Sequence, residues 1–203
     1  MRSRAKSKSK VVASADGYEW DIFLSYKRNT VAQKWIDNHL HPLLEKWLPE
    51  HFPSDWRPKI FIDRQIEVGK QWPTTLERAL VRSRCMLAVW SPPYFSSAWC
   101  KAELETMRKR ERQTKVGRLV YPLLFADGEH LDSSKEQWRD MKKWNNDEPS
   151  YASTADYGGL VLQVQEIAQD LYKMARGAPT WKAWPAVRLA ASASRPIGVP
   201  RLT

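Results

Sequence analysis

Short apolar runs alternate with stretches of helical periodicity through the middle of the chain. The runs that predict strands are WDIFLSY (20–26), KIFID (59–63), CMLAVW (85–90) and LVYPLLF (119–125). These runs are rich in Ile, Leu and Val and do not alternate with polar residues, which is typical of strands covered on both faces. Strands separated by helices predict an α/β fold with a parallel sheet at its centre.

Apolar residues spaced by three and four predict the helices between these strands. The predicted helices are Val31 to Leu48, a helix begun by Pro73, SAWCKAELETMRKRER (97–112), a short helix around EQWRDMKKW (136–144), and Leu160 to Met174 with a stop at Gly177. Proline suits a first helical turn, where its missing N–H is not needed. In the fourth strand, Pro122 favours an edge position or a bulge for the same reason.

In parallel sheets, ligands bind beyond the carboxyl ends of the strands. Three segments of this chain follow predicted strands and are expected to converge there. They are SYKRN (25–29), the loop 64–72 and SPPYFSSAWC (91–100). We therefore look for functional chemistry in these segments.

Charge separates the ends of the chain from its middle. The 203 residues carry a formal net charge of +10, of which residues 1–10 and 176–203 each supply five basic side chains and no acid. The remaining 165 residues are formally neutral, so the basicity favours solvated tails over a nucleic-acid-binding domain. Binding of the tails to nucleic acid or acidic lipid stays open as an alternative.

The targeting signals point to a cytoplasmic protein. No apolar run reaches the length of a membrane span, and MRSRAKSKSK at the N-terminus lacks the apolar stretch of a secretory signal. Cytosolic thiols stay reduced, so we expect no disulfide between Cys85 and Cys100.

Common catalytic motifs are missing from the sequence. The four histidines, His39, His41, His51 and His130, form no metal-ligand pattern, and no Gly-rich phosphate loop is present. Cys100 has no nearby histidine to activate it and is better explained as a small apolar filler. The sequence therefore predicts neither a metal site nor a cysteine nucleophile.

One acid, Glu103, lies beside the apolar stripe of the third helix. It is four residues from both Trp99 and Met107, and no basic residue lies three or four positions away. Glu105, by contrast, can pair with Lys109. A partly desolvated carboxylate beside an indole at a cleft attracts positive charge. The alternative is that Glu103 pairs with a distant arginine or caps a loop amide.

Several motifs resemble the Toll/interleukin-1 receptor (TIR) domain family. They are YEWDIFLSYKRN (18–29), the strand KIFID with its Gly-containing loop, the strand-to-turn sequence SRCMLAVWSPPY (83–94) and the helix start SAWCKAE (97–103). The resemblance covers residues 17–176. It leaves 1–16 as a basic disordered tail and 177–203 as a basic tail rich in Pro, Ala and Ser, in which Trp181 and Trp184 are candidates for packing back on the domain.

The resemblance implies a flavodoxin-like fold of about five parallel strands and, in the family's enzymatic branch, cleavage of NAD+. It implies that Glu103, the acid of W-x-x-x-E, is catalytic, and that NAD+ is a substrate with no further cofactor. The substrate-binding residues that it implies are Ser25, Tyr26, Lys27, Arg28, Asp63, Gly69, Lys70, Trp99 and Cys100. The interface residues that it implies, in the loop after the second strand, are Gln65, Ile66, Glu67 and Val68.

Two functions follow from the resemblance. The first is a bacterial-type NAD+ glycohydrolase or ADP-ribosyl cyclase in antiphage defence or toxicity, active as a homo-oligomer and triggered by a sensor protein in trans. The second is a non-catalytic signalling adaptor that acts through TIR–TIR contacts. The W-x-x-x-E match favours the enzyme. One departure is that residues 126–134 contain no tryptophan to supply a second aromatic side chain to the cleft.

Overall fold

The computed structural model describes residues 17–63, 72–114, 116–127 and 137–186. Its five strands are β1 (Trp20–Ser25), β2 (Ile60–Phe61), β3 (Ser83–Trp90), β4 (Val120–Leu124) and β5 (Arg139–Asp140). All neighbouring strands are parallel, in the order β2-β1-β3-β4-β5. This confirms the predicted parallel sheet of about five strands.

Six α-helices flank the sheet. They are α1 (Val31–Trp35), α2 (His41–His51), α3 (Trp72–Val81), α4 (Pro92–Ser96), α5 (Ala98–Thr114) and α6 (Tyr157–Arg176). A π-helical stretch, Ile36–Leu40, joins α1 to α2, and 3₁₀ turns occupy Lys142–Trp144 and Pro149–Ser153. None of the helices in the described ranges is long and apolar enough to cross a bilayer.

Side chains alternate between two cores because successive strand residues point to opposite faces of the sheet. Ile22 and Leu24 of β1 pack with α1, α2 and α6, whereas Phe23 packs with α3 and α5 on the other face. The two cysteines follow this division. Cys85 lies in the first core and Cys100 in the second, and both are free thiols.

The first predicted helix forms with an interruption. Apolar residues from Trp35 to Leu48 are buried, but Val31 is 53% exposed, so its assignment to the buried face was wrong. Val31 is the first residue of α1 and lies beyond the reach of the core. The π-helical stretch ends just before Pro42, which has no N–H for the regular i to i−4 bond.

Two further expectations need correction around β4. The segment around 136–144 contains β5 and a 3₁₀ turn in place of the predicted helix, with residue 136 outside the described ranges. Pro122 lies in β4, which is an internal strand and not an edge. Because β5 pairs only with Leu123 and Leu124, the flank of β4 at Pro122 has no partner there, which explains how the proline is tolerated.

The segment 178–186, part of the predicted C-terminal tail, packs against the amino ends of β1 and β3. The indole of Trp181 donates from Nε1 to the Val81 carbonyl (3.2 Å), and Trp184 is buried. A Cβ on Gly17, which has φ +88°, would lie 2.7 Å from the Trp181 ring. Both ends of the described chain therefore lie at the edge of the sheet opposite the strands' carboxyl ends.

Candidate functional site

Glu103 lies where the carboxyl end of β1 meets α5. Ser25, the last residue of β1, shares a sheet face with Phe23, and that face is covered by α4 and α5. Its Oγ donates a 2.6 Å hydrogen bond to Glu103 Oε2. The Glu103 side chain is 8% exposed, so its carboxyl group is nearly withdrawn from water.

Tyr94 completes this cluster from α4. Its hydroxyl is 3.0 Å from Ser25 Oγ and 3.3 Å from the Cys100 carbonyl oxygen. The ring is fully buried, and burial raises the pKa of the hydroxyl well above its ordinary value. Sequence reasoning missed Tyr94, because the 69 residues that separate it from Ser25 hide the contact. We call Ser25, Tyr94, Cys100 and Glu103 the Glu103 cluster.

Burial dominates the electrostatics of Glu103. It raises the pKa of the carboxyl group to about 8, the hydrogen bond from Ser25 lowers that pKa, and the charge of Asp63 raises it further. In the part of the chain that the structure describes, no lysine or arginine forms an ion pair with Glu103. The acid therefore contacts a serine hydroxyl here, and not a distant arginine or a loop amide.

A second group of polar residues follows β1 and β2. Tyr26 Oη donates to Asp63 Oδ1 at 2.9 Å, and Arg28 Nε lies 3.5 Å from Asp63 Oδ2. Burial raises the pKa of Asp63, while the Tyr26 hydrogen bond and the Arg28 charge lower it. Arg28 is exposed, so its guanidinium can reach a ligand while it remains near Asp63.

The turn after β1 holds the basic residues in place. Thr30 caps α1 and its Oγ1 donates to the Lys27 carbonyl at 2.8 Å. Asn29 adopts φ 58°, and its N–H donates to Gln33 Oε1. Asparagine tolerates this left-handed conformation better than most residues. The half-buried Lys27 therefore projects from a turn fixed on both sides.

Trp99 and Cys100 differ in their access to a ligand. Trp99 is half-buried on α5, one helical turn before Glu103, and its inner part packs against the core on that face. Cys100 is buried and its thiol donates to the Tyr26 carbonyl. Burial, with the Glu103 charge, raises the pKa of this thiol to about 12, so Cys100 is not a thiolate nucleophile at neutral pH.

The structure thus brings six residues of the predicted site to one edge of the sheet around Glu103. They are Ser25, Tyr26, Lys27, Asp63, Trp99 and Cys100, with exposed Arg28 beside Asp63. Gly69, Lys70 and the predicted interface residues Gln65 to Val68 lie outside the described residues. Over the described ranges, no group of three or more His, Cys, Asp or Glu side chains could hold a metal ion.

Comparisons with known proteins agree on one family. A family model described as "TIR domain" matches residues 22–154. TMV resistance protein N of Nicotiana glutinosa is 27% identical over 127 residues, which is 62% of this chain and 10% of that protein. SUPPRESSOR OF npr1-1, CONSTITUTIVE 1 of Arabidopsis thaliana is 27% identical over 136 residues, covering 66% and 8% respectively.

A solved structure similar to the chain is the TIR domain of the Toll-related receptor TRR-2 of Hydra magnipapillata. It is 17% identical, with a TM-score of 0.46, and the match covers 72% of this chain and 98% of that one. The chain spans about a tenth of the length of the two plant proteins.

Proposed function

The chain belongs to the TIR domain family, and on that premise we propose that it is an NAD+ nucleosidase that releases nicotinamide. The observation that carries the proposal is Glu103, a buried carboxyl group at the carboxyl edge of the sheet, bound to Ser25 and without a basic partner among the described residues. A carboxyl group held in this way is able to bind a cation.

The proposed reaction breaks the bond between the nicotinamide nitrogen and C1′ of the ribose. The electron pair of that bond goes to the nicotinamide, which leaves as a neutral molecule, so no strong general acid is required. The ribose is left with oxocarbenium character, and the Glu103 carboxylate stabilises that charge or holds the ribose hydroxyls. Water then adds to C1′ and loses a proton, which yields ADP-ribose. Attack by the adenine gives a cyclic isomer.

The other residues take supporting roles in this proposal. Trp99 stacks on the nicotinamide, one turn from Glu103 on the same helix. Arg28 and Lys27 contact the ribose or the phosphates, and Arg28 does so from a position beside Asp63. NAD+ is the substrate, and no resident cofactor takes part in any of these steps.

The proposed biological role is defence or toxicity signalling. The name "TMV resistance protein N" of one relative supports this role, although the chain spans only a tenth of that protein. The relatives reported above are plant proteins, so the bacterial-type branch stays a prediction. Release of nicotinamide by purified protein, followed by mass spectrometry of the second product, tests the activity and separates hydrolysis from cyclisation. Intact NAD+ at high protein concentration would favour the adaptor.

The pH dependence of NAD+ cleavage should identify the ionised carboxyl group. The reaction needs the carboxylate, and burial raises the pKa of Glu103 to about 8, so kcat/KM should increase as pH rises through about 8. The midpoint for kcat should lie lower, because the bound pyridinium cation favours the charged form. Initial rates measured between about pH 6 and 9.5 test this. A kcat/KM that falls over this range contradicts the proposal.

Assembly of several copies should raise the activity. The predicted loop interface contains Ile66 and Val68, two aliphatic residues in a polar stretch, which suits a modest and switchable contact. We expect specific activity to rise about tenfold or more over a hundredfold increase in protein concentration. Ile66→Asp should remove both self-association and this rise. Constant activity per chain in a clearly monomeric sample would instead identify the loop as a lid over its own subunit.

A further inference from the structure

Three buried groups form a continuous chain of hydrogen bonds that ends at the proposed catalytic acid. Tyr94 Oη is 3.0 Å from Ser25 Oγ, and Ser25 Oγ is 2.6 Å from Glu103 Oε2. Tyr94 is fully buried and Ser25 is 1% exposed, so neither is placed to meet a substrate directly. Their hydroxyl groups act on Glu103, which itself lies at the edge of the cleft.

The protons of this chain can be assigned for the ionised acid. Glu103 is then an acceptor only, so the single proton of the Ser25 hydroxyl points to Oε2. The Ser25 oxygen is left as an acceptor and takes the proton of Tyr94. Every hydroxyl in the chain donates once, and the series runs from Tyr94 through Ser25 to Glu103.

The same atoms also satisfy the protonated acid. Protonated Glu103 donates to Ser25 Oγ, Ser25 donates to Tyr94 Oη, and Tyr94 donates to the Cys100 carbonyl, which is 3.3 Å away. No buried hydroxyl loses its acceptor when the direction reverses. Leaving one unpaired would cost about 1 to 3 kcal/mol, so the reversal removes a penalty that would otherwise oppose a change in charge.

We propose that Tyr94 is a positioning residue which, through Ser25, holds Glu103 in one place in both of its protonation states. The inference rests on the proposed NAD+ cleavage for its catalytic consequence, whereas the hydrogen-bond chain itself is independent of the substrate. It revises the role expected for Ser25, which acts on Glu103 and not on the substrate.

Other charged groups around the cluster also influence the acid. Asp63, after β2, raises the pKa of Glu103. Lys27, after β1, and Arg108 of α5 affect Cys100 and Tyr94, in each case lowering the pKa. These charges remain when a neutral hydroxyl is removed, so hydroxyl deletions isolate the contribution of the hydrogen-bond chain.

The test uses Tyr94→Phe and Ser25→Ala, which remove one hydroxyl each and leave the surrounding apolar packing. Tyr151→Phe is the matched control, because the Tyr151 hydroxyl is also buried but has no hydrogen-bond partner in the described part of the chain. We expect kcat to fall about tenfold for Tyr94→Phe and up to about a hundredfold for Ser25→Ala, with KM little changed. Tyr151→Phe should match the wild type.

A second measurement does not depend on catalysis. Carbon-13 NMR of the glutamate carboxyl groups, with Glu103 assigned from the signal missing in Glu103→Gln, gives the titration midpoint of Glu103 in the free protein. Loss of the Ser25 donor removes an interaction that favours the carboxylate, so the midpoint should move above about 8 in Ser25→Ala and, by less, in Tyr94→Phe. It should not move in Tyr151→Phe.

The two measurements separate the failure of each proposal. An unchanged NMR midpoint in both Ser25→Ala and Tyr94→Phe overturns the hydrogen-bond chain, whether or not NAD+ is cleaved. Wild-type kcat for Tyr94→Phe in an active enzyme overturns the positioning role. Absence of NAD+ cleavage in every variant and in the wild type overturns the proposed function and the catalytic role of Tyr94, and the NMR result then decides the hydrogen-bond chain alone.

Discussion

Glu103→Gln should lower the turnover of NAD+ by about 10²- to 10⁴-fold, which is the usual contribution of a positioned catalytic group. Glutamine keeps the size of the side chain and still accepts from Ser25, but it has no charge with which to stabilise the ribose cation. Because an interaction made in the transition state is removed, kcat and kcat/KM should fall together. Steady-state rates of nicotinamide release measure both constants.

The matched control lies two residues away on the same helix. Glu105 is exposed and forms an ion pair with Arg112, so Glu105→Gln makes the same chemical change outside the cluster. It should leave turnover within about twofold of the wild type, since exposed ion pairs contribute little. A purified and folded Glu103→Gln protein with full turnover would falsify the catalytic assignment.

The same substitution should stabilise the fold at alkaline pH. Burial raises the pKa of Glu103 above its unfolded value, so the stability that depends on the protonated form is present at low pH and is lost as pH rises through about 8. Glutamine cannot ionise and loses nothing over that range. A melting temperature of Glu103→Gln above that of the wild type at about pH 9, with little difference at pH 5, would show that folding opposes the charge that catalysis uses.

The strands and the acid could be predicted because their signals are local. Ile22 to Leu24 and Cys85 to Val89 are continuous apolar runs, and Glu103 departs from the pattern of its own helix within a few residues. The contact between Ser25 and Tyr94 could not be predicted, because each residue alone is an ordinary polar side chain. Their proximity depends on the parallel pairing of β1 with β3.

The segment around β5 shows how long-range contacts outweigh local preference. EQWRDMKKW has a composition that suits a helix, yet Arg139 and Asp140 pair with β4. Arg139 also forms ion pairs with Glu166 and Asp170 of α6. These partners lie more than twenty residues away, so no local window contains the information that sets the strand.

Arg110 is a second feature that the sequence does not reveal. In α5 it reads as one of several basic residues, but its side chain is 2% exposed. Its guanidinium donates to the carbonyls of Leu80 and Val81 at the end of α3 and of Ser83 at the start of β3, at 2.7 to 3.2 Å. Burial lowers its pKa to about 10, so it is still charged at pH 7. This charge suits the end of a helix, where carbonyl groups lack partners.

The same arginine connects α3 to the C-terminal segment. The ring of Trp184 lies 5.2 Å from the guanidinium, and Trp181 donates to the Val81 carbonyl that Arg110 also contacts. Arg110 therefore joins four elements that are distant in sequence: α3, β3, α5 and the segment 178–186. The cluster lies at the amino ends of the strands, away from Glu103, so its contribution should be to stability and not to catalysis.

Arg110→Ala should lower the free energy of unfolding by about 3 to 5 kcal/mol, because the carbonyls of Leu80 and Ser83 lose a charged donor in a buried place and Trp184 loses its partner. Urea unfolding measures the change. Arg112→Ala, two residues further along the exposed side of α5, should change stability by less than about 0.5 kcal/mol. Arg110→Lys should fall between the two, since lysine keeps the charge but cannot reach three carbonyls with one planar fork. Equal unfolding midpoints for Arg110→Ala and Arg112→Ala would mean that water replaces the guanidinium at no cost and that the carbonyls at the end of α3 do not depend on it.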